Sequence, residues 1–186
     1  DEVWTVSRGA GENLRSLGYQ GEYIVMPNGV DFPAGRLPEE KVRAVSQGLD
    51  LSGSVPLLLF VGRMMWYKGL RIILDALKQL KEDGPDFRMA FVGKGTDGEA
   101  IRDYAKELCL DDKVFFLEPC YDREIIRAWY CRADLFLFPS TFDTNGLVVR
   151  EAAACGLASV LIAGSCAAED ITDGQNGFFI EGNAAS

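Results

Sequence analysis

The sequence predicts an α/β fold built on a doubly wound, Rossmann-like parallel sheet. Apolar segments of strand length alternate with amphipathic helical segments along almost the whole chain, as in repeated strand–helix units. The later strand segments, such as LLLFVG at 57–62, are continuous apolar runs, which is typical of strands covered by helices on both faces. A chain of 186 residues is long enough for one such domain with a sizeable core.

Each element is predicted from its hydrophobic pattern and its bounding turn residues. The predicted strands, in order, are 3–7, 23–26, 57–62, 87–93, 114–117, 134–140, 158–164 and 177–180. The predicted helices are 7–17, 38–47, 69–81, 98–108, 122–132 and 146–155, with a short one before the last strand. The clearest helical spacing lies in 69–81, where the recurring apolar residues are Leu70, Ile73, Leu74, Leu77 and Leu80.

Charge and composition exclude several classes of function. A net charge of −9 argues against a general surface for nucleic acid or for an anionic membrane. No apolar stretch is long enough to cross a bilayer, so we expect no transmembrane segment in this chain. The absence of His excludes His-based acid–base or triad chemistry. The cysteines form no CxxC pair, and we interpret them as free, buried thiols of a reducing cytosol; they are Cys109, Cys120, Cys131, Cys155 and Cys166.

The loops that follow the strands should carry function, because ligands of such folds bind beyond the carboxyl ends of the strands. The loop VGRMMWYKG at 61–69 places Arg63 and Lys68 between a strand and a helix. A planar guanidinium fork and a mobile ammonium together suit a diphosphate. The alternative is a pair of solvated surface cations, which is common for these residue types.

A later loop, VGKGTDG at 92–98, contains a G-x-G-x-x-G pattern formed by Gly93, Gly95 and Gly98. This pattern is typical of dinucleotide-binding sites when it opens the first strand–helix unit. Here it lies in the middle of the series, and no acidic residue clearly matches the one expected about 20 positions on. We therefore favour a tight turn that leaves room for a different ligand.

The most informative loop is FPSTFDTNGLVVREAAACG at 138–156, which runs from a strand through a polar turn into a helix. Gly146 lies near the helix start, where free amides and the helix dipole favour an anion. Asp143 precedes the helix and Glu151 lies in its second turn, and carboxylates accept hydrogen bonds from sugar and ribose hydroxyls. The alternative is that Asp143 only caps the helix and Glu151 is solvated. Together the loops fit a sugar nucleotide, which has both phosphates and hydroxyls.

Four segments resemble motifs of glycosyltransferase family 4, whose members have the GT-B fold. IVMPNGVD (24–31) resembles the family's IPNGVD turn, and FVGRMMWYKG (60–69) resembles its G-R-x4-K-G segment. Residues 133–156 resemble its PS-x2-E-x2-G-x4-E-A segment, and SCAAEDITDGQNGFFI (165–180) resembles its E-x3-D-G-x-x-G-x-L tail. The resemblance covers nearly the whole chain.

The resemblance implies a retaining transfer from a nucleoside-diphosphate sugar to an acceptor hydroxyl, with no cofactor and no obligatory metal. As catalytic residues, Arg63 and Lys68 would hold the diphosphate. Glu151 would bind the ribose, and Asp143 would replace the first glutamate of the family's Glu-x7-Glu motif at the donor sugar. The implied substrate-binding residues are Gly62, Cys120, Asn145, Gly146, Leu147 and Val148, with Cys120 beside the base and the last three meeting the phosphates through their backbone.

The resemblance also implies that residues 1–186 are a single C-terminal domain of a GT-B fold. Residues 1–31 would form the interdomain crossing and the first strands of this domain. The N-terminal domain, which would bind a glycan or glycolipid acceptor, is expected to be absent from this chain, which starts at Asp1. We expect this fragment alone to transfer nothing, and the full-length protein to be cytoplasmic or peripheral at the membrane.

Three positions depart from the family pattern. Asp143 is one methylene shorter than the usual Glu, Asn145 stands where Phe is frequent, and Glu118 stands where Gly is common. Asp143 keeps open a nucleotide-sugar-binding module without transferase activity. A GT-B epimerase or hydrolase is a second alternative, because such enzymes use catalytic residues of the missing domain. A NAD enzyme is the third.

Overall fold

The structure is a computed structural model that describes residues 2–49, 51 and 55–185, so the ends of the predicted 1–186 domain lie outside the described residues. The strands are β1 (Val3–Thr5), β2 (Tyr23–Val25), β3 (Leu57–Val61), β4 (Arg88–Val92), β5 (Val114–Leu117), β6 (Leu135–Phe138), β7 (Ser159–Ile162) and β8 (Gly177–Ile180). The helices are α1 (Arg8–Ser16), α2 (Glu39–Ala44), α3 (Leu70–Asp83), α4 (Gly98–Glu107), α5 (Arg123–Arg132) and α6 (Leu147–Ala154). Two short 3-10 turns cover Trp66–Lys68 and Cys166–Ala168.

The main sheet has six parallel strands in the order β5-β4-β3-β6-β7-β8. This confirms the predicted α/β class with a parallel sheet. The chain moves outward from β3 to β5 and then returns to the other side of β3 to begin β6. The direction of winding therefore reverses between β3 and β6, and in open parallel sheets a crevice for ligands forms at this point.

The core explains why the strand segments are continuously apolar. All five residues of β3 are buried, and Phe60 of this strand stacks on Phe138 of β6 with 6.2 Å between ring centroids. Helix α3 packs on the sheet through the face that its periodicity predicts, and Leu70, Ile73, Leu74 and Leu77 are all buried there. β3 is buried on both faces, whereas β6 alternates buried with half-buried residues, and this packing fixes the positions from which the loops after both strands start.

The N-terminal strands do not join the main sheet. Residues 1–31 contain two strands, as predicted, but β1 and β2 pair with each other in a separate two-stranded sheet. Their assignment to the C-terminal domain stays a prediction. Trp4 lies opposite Ile24 in this pair, and both side chains are exposed. A three-residue apolar run predicts a strand but carries no information about which sheet the strand joins.

None of the helices in the described part of the chain combines the length and the apolar character that a bilayer crossing requires.

Candidate functional site

Two adjoining cavities lie at the carboxyl ends of the central strands, and Val61, Gly62 and Arg63 line both. The first cavity has a volume of about 220 Å³; its other lining residues are Asn28, Lys68, Phe138, Asp143, Thr144, Asn145, Gly146, Leu147 and Val148. The second cavity has a volume of about 500 Å³; its other lining residues are Val92, Gly93, Lys94, Gly95, Pro119, Cys120, Tyr121 and Ile126. The structure thus brings all the predicted site residues except Glu151 to one cleft at the β3–β6 reversal.

Lys68 is buried at the wall of the first cavity, with 8% of its surface exposed. Its ammonium Nζ lies 2.8 Å from Asp143 Oδ2 and 3.4 Å from the Phe142 carbonyl oxygen. The turn that carries Lys68 ends at Gly69, which has a φ of 78°. A Cβ at Gly69 would lie 2.1 Å from the Pro139 carbonyl oxygen, so only glycine lets the loops after β3 and β6 pack this closely. The interpretation of Lys68 as a solvated surface cation is therefore wrong.

Asp143 both holds the turn that precedes α6 and faces the first cavity. Its Oδ1 accepts hydrogen bonds from the backbone amides of Gly146 (2.6 Å) and Asn145 (3.2 Å), while Oδ2 accepts from Lys68. Burial alone would raise the pKa of Asp143, but the hydrogen bonds from Lys68 and Gly146 outweigh it and hold the pKa below its usual value. The side chain is therefore an anion at neutral pH, and both of its oxygens already have partners inside the chain.

The backbone after Asp143 points the start of α6 toward the first cavity. Gly146 adopts the left-handed conformation with a φ of 61°, and its amide donates to Asp143. The next two amides, of Leu147 and Val148, begin the helix and have no intrahelical carbonyl to bind. Asn145 is 5% exposed, and its Nδ2 donates to the Val6 carbonyl oxygen at 2.6 Å. The amides available for an anion are therefore those of Leu147 and Val148.

Arg63 is exposed at the border between the two cavities. Its guanidinium carbon lies 6.0 Å from the ring centroid of Tyr67, at the outer limit of a cation–π contact. Unlike Lys68, Arg63 is a solvent-facing cation whose fork can turn toward either cavity.

Glu151 is buried in α6, one turn after the residues that line the first cavity, and only 8% of its surface is exposed. Its Oε1 accepts a hydrogen bond from Arg123 Nη1 at 2.8 Å, and its Oε2 accepts one from the Tyr130 hydroxyl at 3.0 Å. The alternative that Glu151 is a solvated helix residue is therefore wrong. Burial first, and the nearby Glu151 carboxylate second, raise the pKa of Tyr130 well above its usual value, so the phenol remains a donor.

The G-x-G-x-x-G glycines hold the loops of the second cavity close together. A Cβ at Gly93 would lie 2.0 Å from the Gly62 carbonyl oxygen, and one at Gly95 would lie 2.3 Å from the Met64 carbonyl oxygen. This close approach supports the tight-turn interpretation. Cys120 and the exposed Tyr121 also line this cavity.

The five cysteines are free, but the expectation that all are buried is wrong. Cys109 is exposed, at a position of positive φ after α4, and Cys120 and Cys166 are half-buried. Cys131 and Cys155 are buried between α5 and α6. Burial, together with the neighbouring Cys131 thiol, raises the pKa of Cys155 to about 12. Among the described residues, no group of three His, Cys, Asp or Glu side chains is placed to hold a metal ion.

Sequence reasoning missed Arg123 and Tyr130. They lie 28 and 21 positions before Glu151 in the chain, and only the packing of α5 on α6 brings them to its carboxylate. The only signal in the sequence was that Arg123 and Tyr130 are polar residues on an otherwise apolar face of a predicted helix. That pattern does not identify Glu151 as their partner.

The family model described as Glycosyl transferases group 1 matches residues 43–186. Over 86% of its length, the chain is 32% identical to a D-inositol 3-phosphate glycosyltransferase of Xylanimonas cellulosilytica, covering 39% of that protein. It is also 32% identical, again over 86% of its length, to a glycogen synthase of Thermus caldophilus, covering 35% of that protein. The chain thus spans well under half the length of these curated relatives.

Among solved structures, HepE of Anabaena in complex with UDP and glucose superposes on 98% of this chain with a TM-score of 0.84 and 25% identity. The superposed part is 50% of that chain.

Proposed function

The chain belongs to the Glycosyl transferases group 1 family, and from that membership we propose that it is the donor-binding, C-terminal domain of a GT-B glycosyltransferase. The donor would be a nucleoside-diphosphate sugar, since the similar Anabaena protein HepE has been solved in complex with UDP-glucose. We further propose family 4 membership, transfer with retention, and no obligatory metal. The acceptor, a glycan or glycolipid, would bind through a domain that this chain does not contain.

The observation that carries this proposal is the meeting of two cations and a helix start at the reversal of the sheet. Arg63 and Lys68 follow β3, while the free amides of Leu147 and Val148 follow β6, and all of them line the first cavity. A diphosphate carries the charge that this set of groups complements. The second cavity would take the nucleoside. It adjoins the first cavity at Arg63, which lines both, and the backbone of its glycines leaves open space for a ligand.

The chemistry follows from the leaving group. A nucleoside diphosphate gains negative charge as the bond to the sugar breaks, and fixed positive groups lower the energy of that transition state. Lys68 is held in place before the donor arrives by its ion pair with Asp143 and by the aromatic rings of Tyr67 and Phe138, each 5.4 Å away. Arg63 would add a mobile bidentate contact.

Asp143 would serve two purposes in the same site. By holding Lys68 and the Gly146 amide, it sets the positions of the groups that meet the phosphates. At the same wall of the cavity it would accept a hydrogen bond from a donor-sugar hydroxyl, using the lone pairs that these contacts leave free.

Titration of this chain with UDP, GDP, ADP and their glucose conjugates tests the donor site, with calorimetry and thermal shift as the two readouts. We expect one nucleotide to bind selectively. Replacing Arg63 and Lys68 together with Ala should weaken that binding by at least about 100-fold, because two charge-assisted contacts are lost. The control variant replaces the exposed cations Arg43 and Lys106 with Ala, which changes the net charge equally at sites outside the cleft.

Binding that survives in the Arg63 and Lys68 double variant, or that falls equally in the control, would refute the proposed site. Absence of binding to every nucleotide by a folded sample would refute a donor site formed by this chain alone.

One observation favours a second candidate function, a nucleotide-sugar-binding module without transferase activity. Both oxygens of Asp143 are already bound within the chain, and its side chain is shorter than the glutamate usual at this position in family 4. Turnover of the donor by the full-length protein, with the anomeric configuration of the product read by NMR, separates the candidates. A glycoside of retained configuration supports the retaining transferase, whereas no turnover despite tight donor binding supports the binding module.

A further inference from the structure

A cluster of side chains around Glu151 fixes its buried carboxylate from two sides. The Tyr130 hydroxyl donates to Oε2 and the Arg123 guanidinium donates to Oε1. Phe32 packs against both donors, since its ring lies 4.3 Å from the Arg123 guanidinium carbon and meets the Tyr130 ring edge-on at 6.1 Å. The loop before α2 and the helices α5 and α6 therefore meet at this carboxylate.

The two donors differ in how firmly they are held. Tyr130 is fully buried, and its ring also packs edge-on against Phe136 of β6 at 5.5 Å. The Arg123 side chain is 54% exposed and lies at the first position of α5. A tyrosine locked in the core keeps one orientation, whereas a half-exposed arginine can exchange its partner for another donor.

The cluster is connected to both cavities through the helices α5 and α6. Glu151 is three residues after Val148 and four after Leu147, so it lies on the same helix face as these two lining residues of the first cavity. Helix α5, which begins at Arg123, contributes Ile126 to the second cavity. A nucleoside that bridges the cavities would bring its ribose close to this carboxylate.

We propose that Tyr130 is a positioning residue that orients Glu151 toward the ribose hydroxyls of the donor, and that Arg123 occupies the same carboxylate until the ribose replaces it. This inference rests on the proposed donor site and adds to it how the ribose is recognised. Tyr130 keeps one oxygen fixed. The other oxygen passes from the Arg123 N–H to the ribose O–H groups, so the carboxylate has a donor at every stage.

The test compares two ligands that differ only in the ribose hydroxyls. The probes are whichever of UDP, GDP and ADP binds the chain most tightly and the 2′,3′-dideoxy form of the same nucleotide. Calorimetry gives the ratio of their dissociation constants, which measures what the ribose hydroxyls contribute. In the wild type we expect a ratio of about 30 or more, because hydroxyl bonds to a charged acceptor are lost in the dideoxy form.

In Tyr130→Phe we expect the ratio to fall to about 5 or less, with the affinity for the dideoxy nucleotide unchanged, because only the orientation of Glu151 is lost. The matched control is Tyr104→Phe, which removes another tyrosine hydroxyl bonded to a carboxylate, that of Asp75 at 2.6 Å on the α3–α4 side. Its ratio should equal that of the wild type. An unchanged ratio in folded Tyr130→Phe, or an equal fall in Tyr104→Phe, would overturn the proposal.

Arg123→Ala tests the exchange and does not disturb the core, because this side chain is half-exposed. Removing the competing donor should tighten binding of the ribose-containing nucleotide about two- to fivefold and leave the dideoxy form unchanged. Weaker binding of both ligands would overturn the exchange, since it would mean that Arg123 contacts the nucleotide itself. If no nucleotide binds the wild type, the donor site itself fails; if nucleotides bind with a ratio near one, only the ribose inference fails.

Discussion

The two cavities of the cleft differ in whether their polar side chains already bind partners within the chain. In the first cavity, Lys68 and Asp143 are largely buried and paired with each other, and the start of α6 is fixed by the same aspartate. The second cavity is lined by Gly93 and Gly95 and by Cys120 and Tyr121, and Tyr121 is 80% exposed. One half is therefore preorganised and the other is open.

This difference indicates a division of labour within the proposed donor site. A preorganised set of charges suits the diphosphate, which every nucleoside-diphosphate donor shares and on which charge develops during transfer. An open cavity with adaptable side chains suits the part of the donor that varies, namely the base. Substitutions in the two cavities should therefore have different effects. Those in the first cavity should lower folding stability as well as binding, whereas those in the second should change only the contacts with the ligand.

The largest effect is expected from Asp143→Asn, which keeps a side-chain oxygen for the Gly146 amide but leaves the buried Lys68 without its counter-ion. Unpairing a buried charge should lower the free energy of unfolding by about 3 kcal/mol, measured by urea denaturation. The matched control is Asp112→Asn, which unpairs Lys81 at an exposed ion pair with the aspartate 61% exposed. Asp112→Asn should lower the free energy of unfolding by less than about 1 kcal/mol. Equal losses in both variants would contradict a preorganised first cavity.

The same pair gives a pH dependence with a definite sign. Because the pKa of Asp143 is below its usual value in the folded chain, its contribution to stability is complete above the unfolded pKa of about 4. The contribution is lost as the pH falls through the lower, folded pKa. The stability difference between the wild type and Asp143→Asn should therefore be constant from about pH 8 to 5 and shrink below about pH 4. A difference that grows on acidification would contradict the ion pair.

A smaller effect is expected from Gly146→Ala at the start of α6. The left-handed backbone costs a non-glycine residue about 1–2 kcal/mol, and the new Cβ would lie 2.8 Å from the Ala167 Cβ. Gly156→Ala, just beyond the other end of α6, is the control. Gly156 has a φ of 75°, but its Cβ would meet no atom within 4 Å. Thermal unfolding should show a loss of about 2 kcal/mol in Gly146→Ala and about 1 kcal/mol in Gly156→Ala.

Gly146→Ala should also weaken nucleotide binding, because the Leu147 and Val148 amides would shift with the start of the helix. Gly156→Ala should leave nucleotide binding unchanged. If the two variants lose the same stability and bind the nucleotide equally, the close approach to Ala167 does not hold the helix start in place.

The contrast between the cavities also marks what the sequence could and could not predict. Arg63, Lys68 and Asp143 were predictable, because buried parallel strands have unambiguous apolar patterns and ligands gather at their carboxyl ends. Local turn chemistry also predicted that Asp143 lies before the start of a helix. Their placement at one cavity is confirmed by the structure, while their roles in binding remain predictions.

Features that depend on contacts between distant segments were not predictable. The pairing of β1 with β2 instead of the main sheet is decided by tertiary packing, since three apolar residues fit any sheet. The burial of Glu151 under Arg123 depends in the same way on how two amphipathic helices pack, and their patterns specify faces but not partners.

The smallest effect on the folded chain is expected at Cys120, and it tests the openness of the second cavity most directly. Cys120 is half-buried in that cavity, so iodoacetamide should alkylate it, and a bound nucleotide should slow the reaction by at least about tenfold through direct cover. Cys109 is exposed at the end of α4, and its rate should not change, which controls for the reagent. Cys155 should stay unmodified throughout, since a pKa of about 12 leaves almost no thiolate.

Cys120→Ser should change nucleotide affinity less than about threefold, because Cys120 contributes contact area to the second cavity and no fixed charge. Peptide mapping by mass spectrometry measures the alkylation rate at each cysteine. Equal protection of Cys109 and Cys120 would mean that the nucleotide acts on the whole fold instead of filling the second cavity.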